Sequence, residues 1–421
     1  MIIEHNPEPP EVMHIDLNSA FAMTEQQANP FLRGRPVGIT NRLSDYAICI
    51  TSSYEAKRQG IGIGMRAPEA RRIDSRFVVL ESDSDKYSYV HKKMRRIFES
   101  YSPIAYMKSI DEGIIDFRGM RGLRCGRSLE DIGREIKQRV KDEVGDYMTI
   151  NVGIAQNRWL AKVAAGFLKP DGLYTIDRDN IEVVMQMMNL TDLPYIKRQN
   201  AQRLHEVGIT TAAEFYHAPY WVLFRQVFKS VMGHHWYLRL RGYETETETG
   251  IRTVGRSYVL EHRTADPAEL ATLFHKASAK IARRLHKNNF AARGLSMRLN
   301  YAGTGNDSVY RARYRWHGSN MWELPVRRGD QLYARALALF ADSPEGEVVT
   351  GLYLTAYGLE PFRGEQQALF ESKNALRERL EDAINTVNDR YGELVVAPAS
   401  VVMSKNPMRD KIPFGTVRYF E

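Results

Sequence analysis

The chain has 421 residues, of which 43% are hydrophobic and 26% are charged, and its formal net charge is +8 with a pI near 9.2. This composition is typical of a globular protein with several domains, because one domain usually holds about 100–200 residues. No run of about 18 apolar residues occurs, the first residues lack the basic and apolar parts of a secretory signal, and the cysteines are Cys49 and Cys125. We therefore expect a cytoplasmic protein without a membrane-spanning helix, a zinc cluster or a disulfide framework.

Three carboxylates stand at the ends of short apolar segments that predict β-strands. Asp16 follows the first of these segments, and the adjacent pair Asp111 and Glu112 ends the segment 104–112. Residues 113–117 predict the returning strand of a hairpin, which places the pair at the hairpin tip, opposite Asp16. Hard divalent cations prefer carboxylate oxygens that converge from several chain segments. The alternative interpretation is that these acids are solvated turn residues.

The chain around these acids predicts alternating helices and strands. Residues 85–101 and 128–144 carry apolar side chains at helical spacing, and Ser128 is the expected N-cap of the second helix. A strand over 147–154 and a helix over 158–168 follow. Strands flanked by helices, with acids at the strand ends, predict an α+β catalytic core.

Beyond this core, residues 180–241 predict short helices, and the acidic stretch 242–250 predicts an exposed linker. The excess positive charge of the chain lies after that linker. Between Arg252 and Phe340 there are 16 Lys/Arg and 6 Asp/Glu residues, which leaves 43 basic and 45 acidic residues elsewhere. This segment therefore predicts a module that binds a polyanion, with nucleic acid as the leading candidate.

The basic segment has the β-α-β-β-α-β pattern of a split βαβ fold. Strands are predicted near 252–260, 293–301, 308–316 and 348–357, and helices are predicted from Asp266 onward and near 328–340. The third strand has a period of two, which puts Arg311, Arg313 and Arg315 on one face, and Arg298 lies on the polar face of the second. A sheet whose open face carries arginines suits a phosphate backbone. A merely solvated strand face is the alternative.

Four motifs, in order along the chain, resemble those of the Y-family translesion DNA polymerases, the type that includes bacterial polymerase IV and the catalytic subunit of polymerase V. The motifs are residues 16–22, 51–58 and 109–112, and residues 152–157 followed by Ala161-Lys162 and 169–172. The resemblance covers roughly residues 12–375. It implies an α+β right-hand fold with a palm (12–18 and 76–176), small fingers (19–75), a helical thumb (177–241), a linker (242–251), a βαββαβ little finger (252–358) and a C-terminal region (359–421).

The resemblance also implies roles for individual residues in two-metal nucleotidyl transfer. Two Mg²⁺ ions, for which Mn²⁺ substitutes, would be held by Asp16, Asp111, Glu112 and the backbone carbonyl of Leu17. The incoming dNTP would be bound by Thr51, Tyr54, Lys57, Arg58 and Lys169, with Phe21 as a steric gate against a ribose 2′-OH. Primer-template DNA would be held by Thr253, Gly255, Arg256, Arg298, Arg311, Arg313 and Arg315. Core packing is the alternative for Phe21, and an ordinary amphipathic helix start is the alternative for Tyr54 and Lys57.

The sequence departs from the family pattern at three places. Ala20 stands before the expected gate where relatives usually have an aromatic residue, and Lys57 stands where they often have Arg. The thumb turn 194–200 lacks the glycines that let backbone N–H groups approach a phosphate closely. Lys197 and Arg198 could replace them by charge, and a purely structural turn is the alternative.

A short peptide after the basic segment is similar to the motif by which bacterial polymerases dock on the sliding β-clamp. It contains Gln366, Leu369 and Phe370. The alternative is the start of an amphipathic helix that precedes Leu376.

These features predict a monomeric, template-directed DNA polymerase that performs error-prone translesion synthesis without proofreading. Its expected partners are primer-template DNA, dNTPs and the sliding β-clamp. Two other classes remain open: a palm-type nucleotide cyclase, and a non-catalytic DNA-binding factor recruited by the clamp. A cyclase has no need of an arginine-lined sheet, and a non-catalytic factor has no need of the acids or of Tyr54, Lys57 and Lys169.

Overall fold

The structure is a computed structural model that describes residues 3–43, 47–245, 251–302, 315–362, 373–391, 395–402 and 408. These residues form two compact units. The first holds the described residues up to Thr245, and the second holds those from Ile251 onward. Among the described residues, every helix is too short or too polar to serve as a transmembrane span.

A five-stranded sheet with the order β5-β6-β1-β7-β8 is the centre of the first unit. Its strands are antiparallel except for the parallel pair β7 and β8. Their bounds are Val12–Leu17 (β1), Ala105–Met107 (β5), Glu112–Asp116 (β6), Ile150–Ala155 (β7) and Leu173–Thr175 (β8). The predicted hairpin is therefore confirmed, with β6 as its returning strand.

Helices cover both faces of this sheet, and their bounds are Ser84–Glu99 (α4), Leu129–Glu143 (α5) and Arg158–Phe167 (α6). Helices α4 and α5 pack on the face that contains Met13, while α6 packs on the face that contains Val12. The expected N-cap is confirmed, since the Ser128 hydroxyl accepts a hydrogen bond from the Asp131 backbone N–H at 3.1 Å. Apolar spacing in the sequence thus located all three helices to within two residues.

Helix α6 and strand β7 touch through a glycine. A Cβ atom at Gly153 would lie 2.1 Å from both the carbonyl oxygen of Ala161 and the backbone nitrogen of Ala165. No side chain fits in that space, so the backbone of α6 lies directly on the sheet. This close contact fixes the helix that carries Lys162.

A smaller three-stranded sheet, with the order β3-β2-β4, belongs to the same unit. Its strands are Val37–Thr40 (β2), Cys49–Ser52 (β3) and Val78–Glu81 (β4), and the accompanying helices are Ala20–Ala28 (α1), Tyr54–Arg58 (α2) and Ala67–Ile73 (α3). The side chain of Ser53 caps α2 by accepting a hydrogen bond from the Ala56 N–H at 3.3 Å. This cap places Tyr54 at the first position of α2, and Lys57 follows in the last turn of the helix.

The expected short helices follow the large sheet. Their bounds are Ile181–Met187 (α7), Arg198–His205 (α8), Ala212–His217 (α9) and Val231–Leu240 (α10), with one π-helical turn at Val222–Val227. The indole ring of Trp159 on α6 meets the ring of Trp236 on α10 edge to face, with ring centroids 5.4 Å apart. These helices and α6 therefore share one hydrophobic core.

Residues 3–6, which precede β1, lie against this helical part. The backbone N–H of Ile3 donates to the hydroxyl of Tyr237 at 3.2 Å. Asn6 donates its backbone N–H to the carbonyl of Arg241 at 2.8 Å and its side-chain amide to the carbonyl of Gly242 at 3.1 Å. The segment thus connects the first strand of the sheet to the end of α10.

The second unit is a four-stranded antiparallel sheet with the order β11-β10-β12-β9. Its elements are Thr253–Thr264 (β9), Pro267–Lys287 (α11), Phe290–Tyr301 (β10), Arg315–Val326 (β11), Gly329–Ala341 (α12) and Val349–Pro361 (β12). Leu295, Met297 and Leu299 are buried under the two helices, while Arg298 points to the opposite face. The predicted β-α-β-β-α-β order is confirmed.

One predicted strand of this unit is only partly covered by the described residues. The expectation was a strand near 308–316, whereas the described strand runs from Arg315 to Val326, and residues 308–314 lie outside the described residues. Strand β11 is at the sheet edge, where one side of the backbone has no partner strand among the described residues. An edge strand tolerates Gly318, Pro325 and polar residues, so its sequence lacks the alternation that marks an inner strand.

Two further helices, Lys373–Tyr391 (α13) and Ala399–Val402 (α14), belong to the second unit. The carboxylate of Glu381 accepts a hydrogen bond from the Gly329 N–H at 2.8 Å, which ties α13 to the first turn of α12. The clamp-like peptide with Gln366, Leu369 and Phe370 lies outside the described residues.

Candidate active site

The three predicted metal-binding acids meet at one end of the large sheet. Asp16 on β1 is paired directly with Glu112 on β6, and the Leu17 N–H donates to the carbonyl of Asp111 at 2.9 Å. Strand β1 lies between β6 and β7, so Asp16 faces the hairpin tip. The placement of the acids predicted from strand ends is confirmed, whereas their role remains a prediction.

Asp111 is largely enclosed by the protein. The Ser109 hydroxyl lies 2.5 Å from its carboxylate and accepts hydrogen bonds from the N–H groups of Asp111 and Glu112 at 3.3 and 3.1 Å. Burial, together with the negative charges of Asp16 and Glu112, raises the pKa of Asp111 to about 6. The site therefore disfavours a third negative charge until a cation compensates for it.

Two lysine side chains form ion pairs with the other two carboxylates, those of Glu112 and Asp16. The ammonium group of Lys162 on α6 contacts both carboxylate oxygens of Glu112 at 2.6 Å. Lys169, which follows α6, contacts the Oδ2 atom of Asp16. Sequence reasoning gave Lys169 a role at the triphosphate and gave Lys162 none, although Lys162 belongs to a quoted motif.

A buried histidine beside these acids was missed by the sequence reasoning. His14 precedes Asp16 by two residues on β1, so the two side chains share the face on which α6 packs. Its Nε2 atom is 3.6 Å from Glu112 Oε2, and neither ring nitrogen has a hydrogen-bond partner in the described part of the chain. Burial, with the charges of Lys162, Lys108 and Lys169, lowers the pKa of His14 well below its ordinary value. The ring is therefore neutral.

The chemistry of the donor set fits hard divalent cations, because carboxylate and carbonyl oxygens are the ligands that Mg²⁺ and Mn²⁺ prefer. Ammonium groups already stand against two of the acids, which shows that positive charge is stabilised there. Within the described ranges, however, no group of three or more His, Cys, Asp or Glu side chains is arranged to hold a metal ion. Cation binding at these residues therefore requires that the lysine contacts rearrange.

The predicted triphosphate-binding residues border the acids. The Tyr54 hydroxyl donates to the Oδ1 atom of Asn18 at 3.1 Å, and burial together with the charge of Asp16 raises its pKa to about 12. Lys57 donates to the Ser19 hydroxyl at 2.7 Å. Burial and the neighbouring Lys169 lower the pKa of Lys57. Thr51 is half-buried on β3, and Arg58 is exposed at the end of α2.

Phe21 lies on α1 and is 5% exposed. Its ring is stacked on Tyr87 of α4 with a centroid distance of 4.5 Å. Both interpretations of this residue remain compatible with that position, because a packed ring can also form one wall of a nucleotide pocket.

The predicted DNA-binding residues of the second unit have different environments. Arg298 lies over the ring of Tyr353 at 3.7 Å on the open face of the sheet. Arg315 and Thr253 are exposed, while Arg256 donates to the carbonyl of Met408 at 3.3 Å. Gly255 allows close strand contact, since a Cβ atom there would lie 2.8 Å from the Thr355 hydroxyl. Arg311 and Arg313 lie outside the described residues.

The thumb turn uses its polar groups internally. Tyr195 has a φ of 69°, the left-handed conformation that a glycine usually adopts. The carbonyl of Pro194 accepts from Trp159 Nε1 at 3.2 Å, and Lys197 donates to the carbonyl of Thr191 at 3.1 Å. The geometry of this turn favours the structural alternative over a phosphate contact through Lys197.

Comparison with known proteins identifies the family. Residues 15–166 match the sequence model of the impB/mucB/samB family, and residues 251–369 match the model of its C-terminal domain. Together the two matches cover more than half of the chain.

Curated relatives of similar length include the DNA polymerase IV of Alkalilimnicola ehrlichii, which is 28% identical over 367 residues, covering 86% of this chain and 99% of that protein. The DNA polymerase IV of Moorella thermoacetica is 29% identical over 395 residues, covering 91% of this chain and 94% of that protein.

Solved structures have the same fold. A chimeric Y-family DNA polymerase built from Dbh and Dpo4 matches with a TM-score of 0.67 at 20% identity, and covers 82% of this chain and 98% of its own. DinB from Sulfolobus solfataricus matches with a TM-score of 0.55, also at 20% identity and with the same coverage. The chain therefore belongs to the impB/mucB/samB family, within the Y-family of translesion DNA polymerases.

Proposed function

We propose that this protein extends a DNA primer along a damaged template by two-metal nucleotidyl transfer, with low fidelity and without proofreading. The observation that carries the proposal is the meeting of Asp16, Asp111 and Glu112 at one sheet end. Tyr54, Lys57 and Lys169 border the same acids, as the contacts of Lys169 with Asp16 and of Tyr54 with Asn18 indicate. Nucleotidyl transfer needs carboxylates that bind metal ions, next to cationic side chains that bind phosphate.

Asp16, Asp111, Glu112 and the carbonyl of Leu17 are the groups that would hold two Mg²⁺ ions or their Mn²⁺ substitutes. When bound, such ions neutralise the charge that develops on the attacking 3′-oxygen and on the leaving pyrophosphate. The lysines support the same residues before the ions arrive. Lys162 neutralises Glu112 and Lys169 neutralises Asp16, which keeps adjacent carboxylates from repelling each other.

The bound triphosphate would replace the groups that Lys169 and Lys57 now contact within the protein. Lys169 would exchange its contact with Asp16 for a phosphate oxygen, and Lys57 would exchange its contact with the Ser19 hydroxyl for another. Tyr54 remains a proton donor at neutral pH, because its pKa is about 12. These groups would thus bind and orient the phosphates.

The role of Phe21 follows from its position on α1, soon after Asp16 in the chain. A rigid ring stacked on Tyr87 cannot move aside for a ribose 2′-OH. We infer that it acts as the steric gate.

The second unit would bind the duplex through the open face of its sheet, where Arg298 and Arg315 lie.

The protein would work as a monomer in the cytoplasm and dock on the sliding β-clamp through Gln366, Leu369 and Phe370. Replacement of Leu369 and Phe370 by Ala should abolish stimulation by the clamp and leave synthesis without the clamp unchanged. Leu376→Ala is the matched control, because Leu376 is a nearby leucine that is 60% exposed. Equal stimulation of the double variant and the control would contradict the docking proposal.

Primer extension tests the proposed activity directly. With a primed template, dNTPs and Mg²⁺, the protein should lengthen the primer, and Asp111→Ala or Glu112→Ala should reduce extension by about a hundredfold or more. DNA binding by both variants should persist, since the second unit is unchanged. Cyclic nucleotide formation without a template would indicate a cyclase instead, and DNA binding without extension would indicate a non-catalytic factor.

A further inference from the structure

Two buried asparagines contact each other behind the proposed nucleotide site. Asn18 directly follows β1 and Asn151 lies on β7, and each is 1% exposed. The side-chain amide of Asn151 donates to the Oδ1 atom of Asn18. Buried amides are costly unless their hydrogen bonds are satisfied, so the remaining partners of this pair show what it holds.

Asn18 holds one side of the site. Its Oδ1 atom also accepts the hydroxyl proton of Tyr54 at 3.1 Å, and its Nδ2 atom donates to the Thr149 hydroxyl at 2.9 Å. The donation from Asn151 Nδ2, which can only be a donor, fixes Oδ1 as the end of the Asn18 amide that faces Tyr54. The position of the Tyr54 ring is therefore set by an amide whose own orientation is determined.

Asn151 holds the other side. Its Oδ1 atom accepts the Gly172 N–H at 3.0 Å, and the carbonyl of Gly172 accepts the Val152 N–H at 3.0 Å. Gly172 closes the turn that begins at Lys169. A Cβ atom at Gly172 would lie 2.1 Å from the carbonyl oxygen of Leu168, so the turn is tightly closed. Asn151 thus anchors the segment that presents Lys169.

The geometry points to Asn18 and Asn151 as positioning residues for the triphosphate of the incoming nucleotide. Through one amide-to-amide contact they hold Tyr54 and the Lys169 turn at a fixed separation. This inference rests on the proposed function, in which both groups bind a nucleoside triphosphate. Neither asparagine touches the phosphates in this arrangement; each acts through the group that it holds.

Rapid single-nucleotide insertion separates nucleotide binding from chemistry. Asn18→Leu and Asn151→Leu keep the branched shape of the side chain and remove the hydrogen bonds. Each should raise the apparent Kd for dNTP about five- to tenfold. The maximal insertion rate should change by less than about threefold, because the acids remain in place.

A double-mutant cycle identifies the route of the effect. Tyr54→Phe removes the hydroxyl that Asn18 accepts. If Asn18 acts through that hydroxyl, the effects of Asn18→Leu and Tyr54→Phe on the dNTP Kd should be far from additive. Fully additive effects, or an unchanged dNTP Kd in both Asn→Leu variants, would overturn the inference.

Asn157→Leu is the matched control for loss of a buried asparagine. Asn157 is also 1% exposed, and its amide donates to the carbonyls of Arg239 and Tyr243, away from Tyr54 and Lys169. It should lower the melting temperature like the other variants and leave the dNTP Kd within about twofold. A rise in Kd equal to that of Asn18→Leu would show a purely structural effect. Failure of the unmodified protein to extend any primer would instead refute the proposed function itself.

Discussion

Asp111 illustrates how an enclosed acid of the proposed metal site costs stability. It is enclosed, and two other carboxylates lie close to it, so its pKa is raised to about 6. The ionised form is thus disfavoured in the folded chain, and the resulting penalty is fully present above pH 6. It fades as the pH falls toward the ordinary value of an aspartate, where the group is protonated in both states.

We predict that Asp111→Asn stabilises the metal-free protein. In EDTA at pH 8, the free energy of unfolding should rise by about 1–3 kcal/mol, because a pKa shift of one unit corresponds to about 1.4 kcal/mol. The gain should vanish near pH 4. Chemical denaturation at the two pH values measures both quantities.

Added Mg²⁺ provides the control for this prediction. The unmodified protein should gain stability with Mg²⁺, because a ligand that binds the folded state stabilises it, while Asp111→Asn should gain much less. A variant that is less stable than the unmodified protein at pH 8 would contradict the electrostatic argument.

Phe21 carries the second prediction at the scale of residues. Phe21→Ala removes the ring that is stacked on Tyr87 and opens space on α1. Insertion of ribonucleotides relative to deoxyribonucleotides should rise by about ten- to hundredfold. Primer extension with matched rNTP and dNTP measures the ratio. If Phe21 serves only core packing, the variant should lose stability with unchanged sugar discrimination.

The sequence predicted the site unevenly at this scale. Asp16, Asp111 and Glu112 were located because strand ends and a hairpin tip are local features. Lys162 and His14 were missed because their proximity to Glu112 depends on how α6 packs against β1. The amide pair of Asn18 and Asn151 depends on strand pairing, which an isolated asparagine in the sequence does not reveal.

Among the elements, α6 has a tightly constrained position. Gly153 on β7 lets its backbone lie on the sheet, and Lys162 projects from it toward Glu112. Gly153 therefore determines where α6 lies, and the position of α6 in turn determines whether Lys162 reaches Glu112.

We predict that Gly153→Ala displaces α6 and lowers both stability and activity. The new methyl group meets backbone atoms, which cannot rotate away, so a loss of about 3 kcal/mol or more is expected. Thermal denaturation and primer extension measure the two effects.

Gly166→Ala on the same helix is the matched control. Gly166 is exposed, and a methyl group added there would have open space within 4 Å as far as the described residues are concerned. Alanine there should stabilise the helix by about 0.5–1 kcal/mol. Similar destabilisation by both substitutions would contradict the packing argument.

Elements in the interior were easier to predict than those at edges. The hairpin and helices α4, α5 and α6 have clear apolar periodicity, and all were found. The part of β11 beyond residue 316 was not predicted, because an edge strand has fewer buried side chains to impose an alternating pattern.

At the scale of the whole molecule, charge is segregated along the chain. The segment between Arg252 and Phe340 has 16 basic residues and only 6 acidic ones, while the rest of the chain is nearly neutral. This division was visible in the sequence because charge counting needs no knowledge of packing. The arrangement of strands within that segment was visible only in part.

Salt dependence tests the charge argument. Arg298→Ala and Arg315→Ala should each weaken DNA binding and reduce the slope of log Kd against log salt concentration by about one. Arg377→Ala removes the same charge from α13, on the helical side of the unit, and should leave the slope unchanged. Equal slopes for all three variants would refute the assignment of the open sheet face to DNA.

The attachment of the first residues to α10 has a practical consequence. Ile3 and Asn6 are hydrogen-bonded to Tyr237, Arg241 and Gly242, so residues 3–6 are held at the end of α10. A purification tag fused directly before residue 3 would compete with these hydrogen bonds, and the altered DNA binding of such a protein would originate in the tag. A flexible leader of several residues, or cleavage after purification, avoids that artefact.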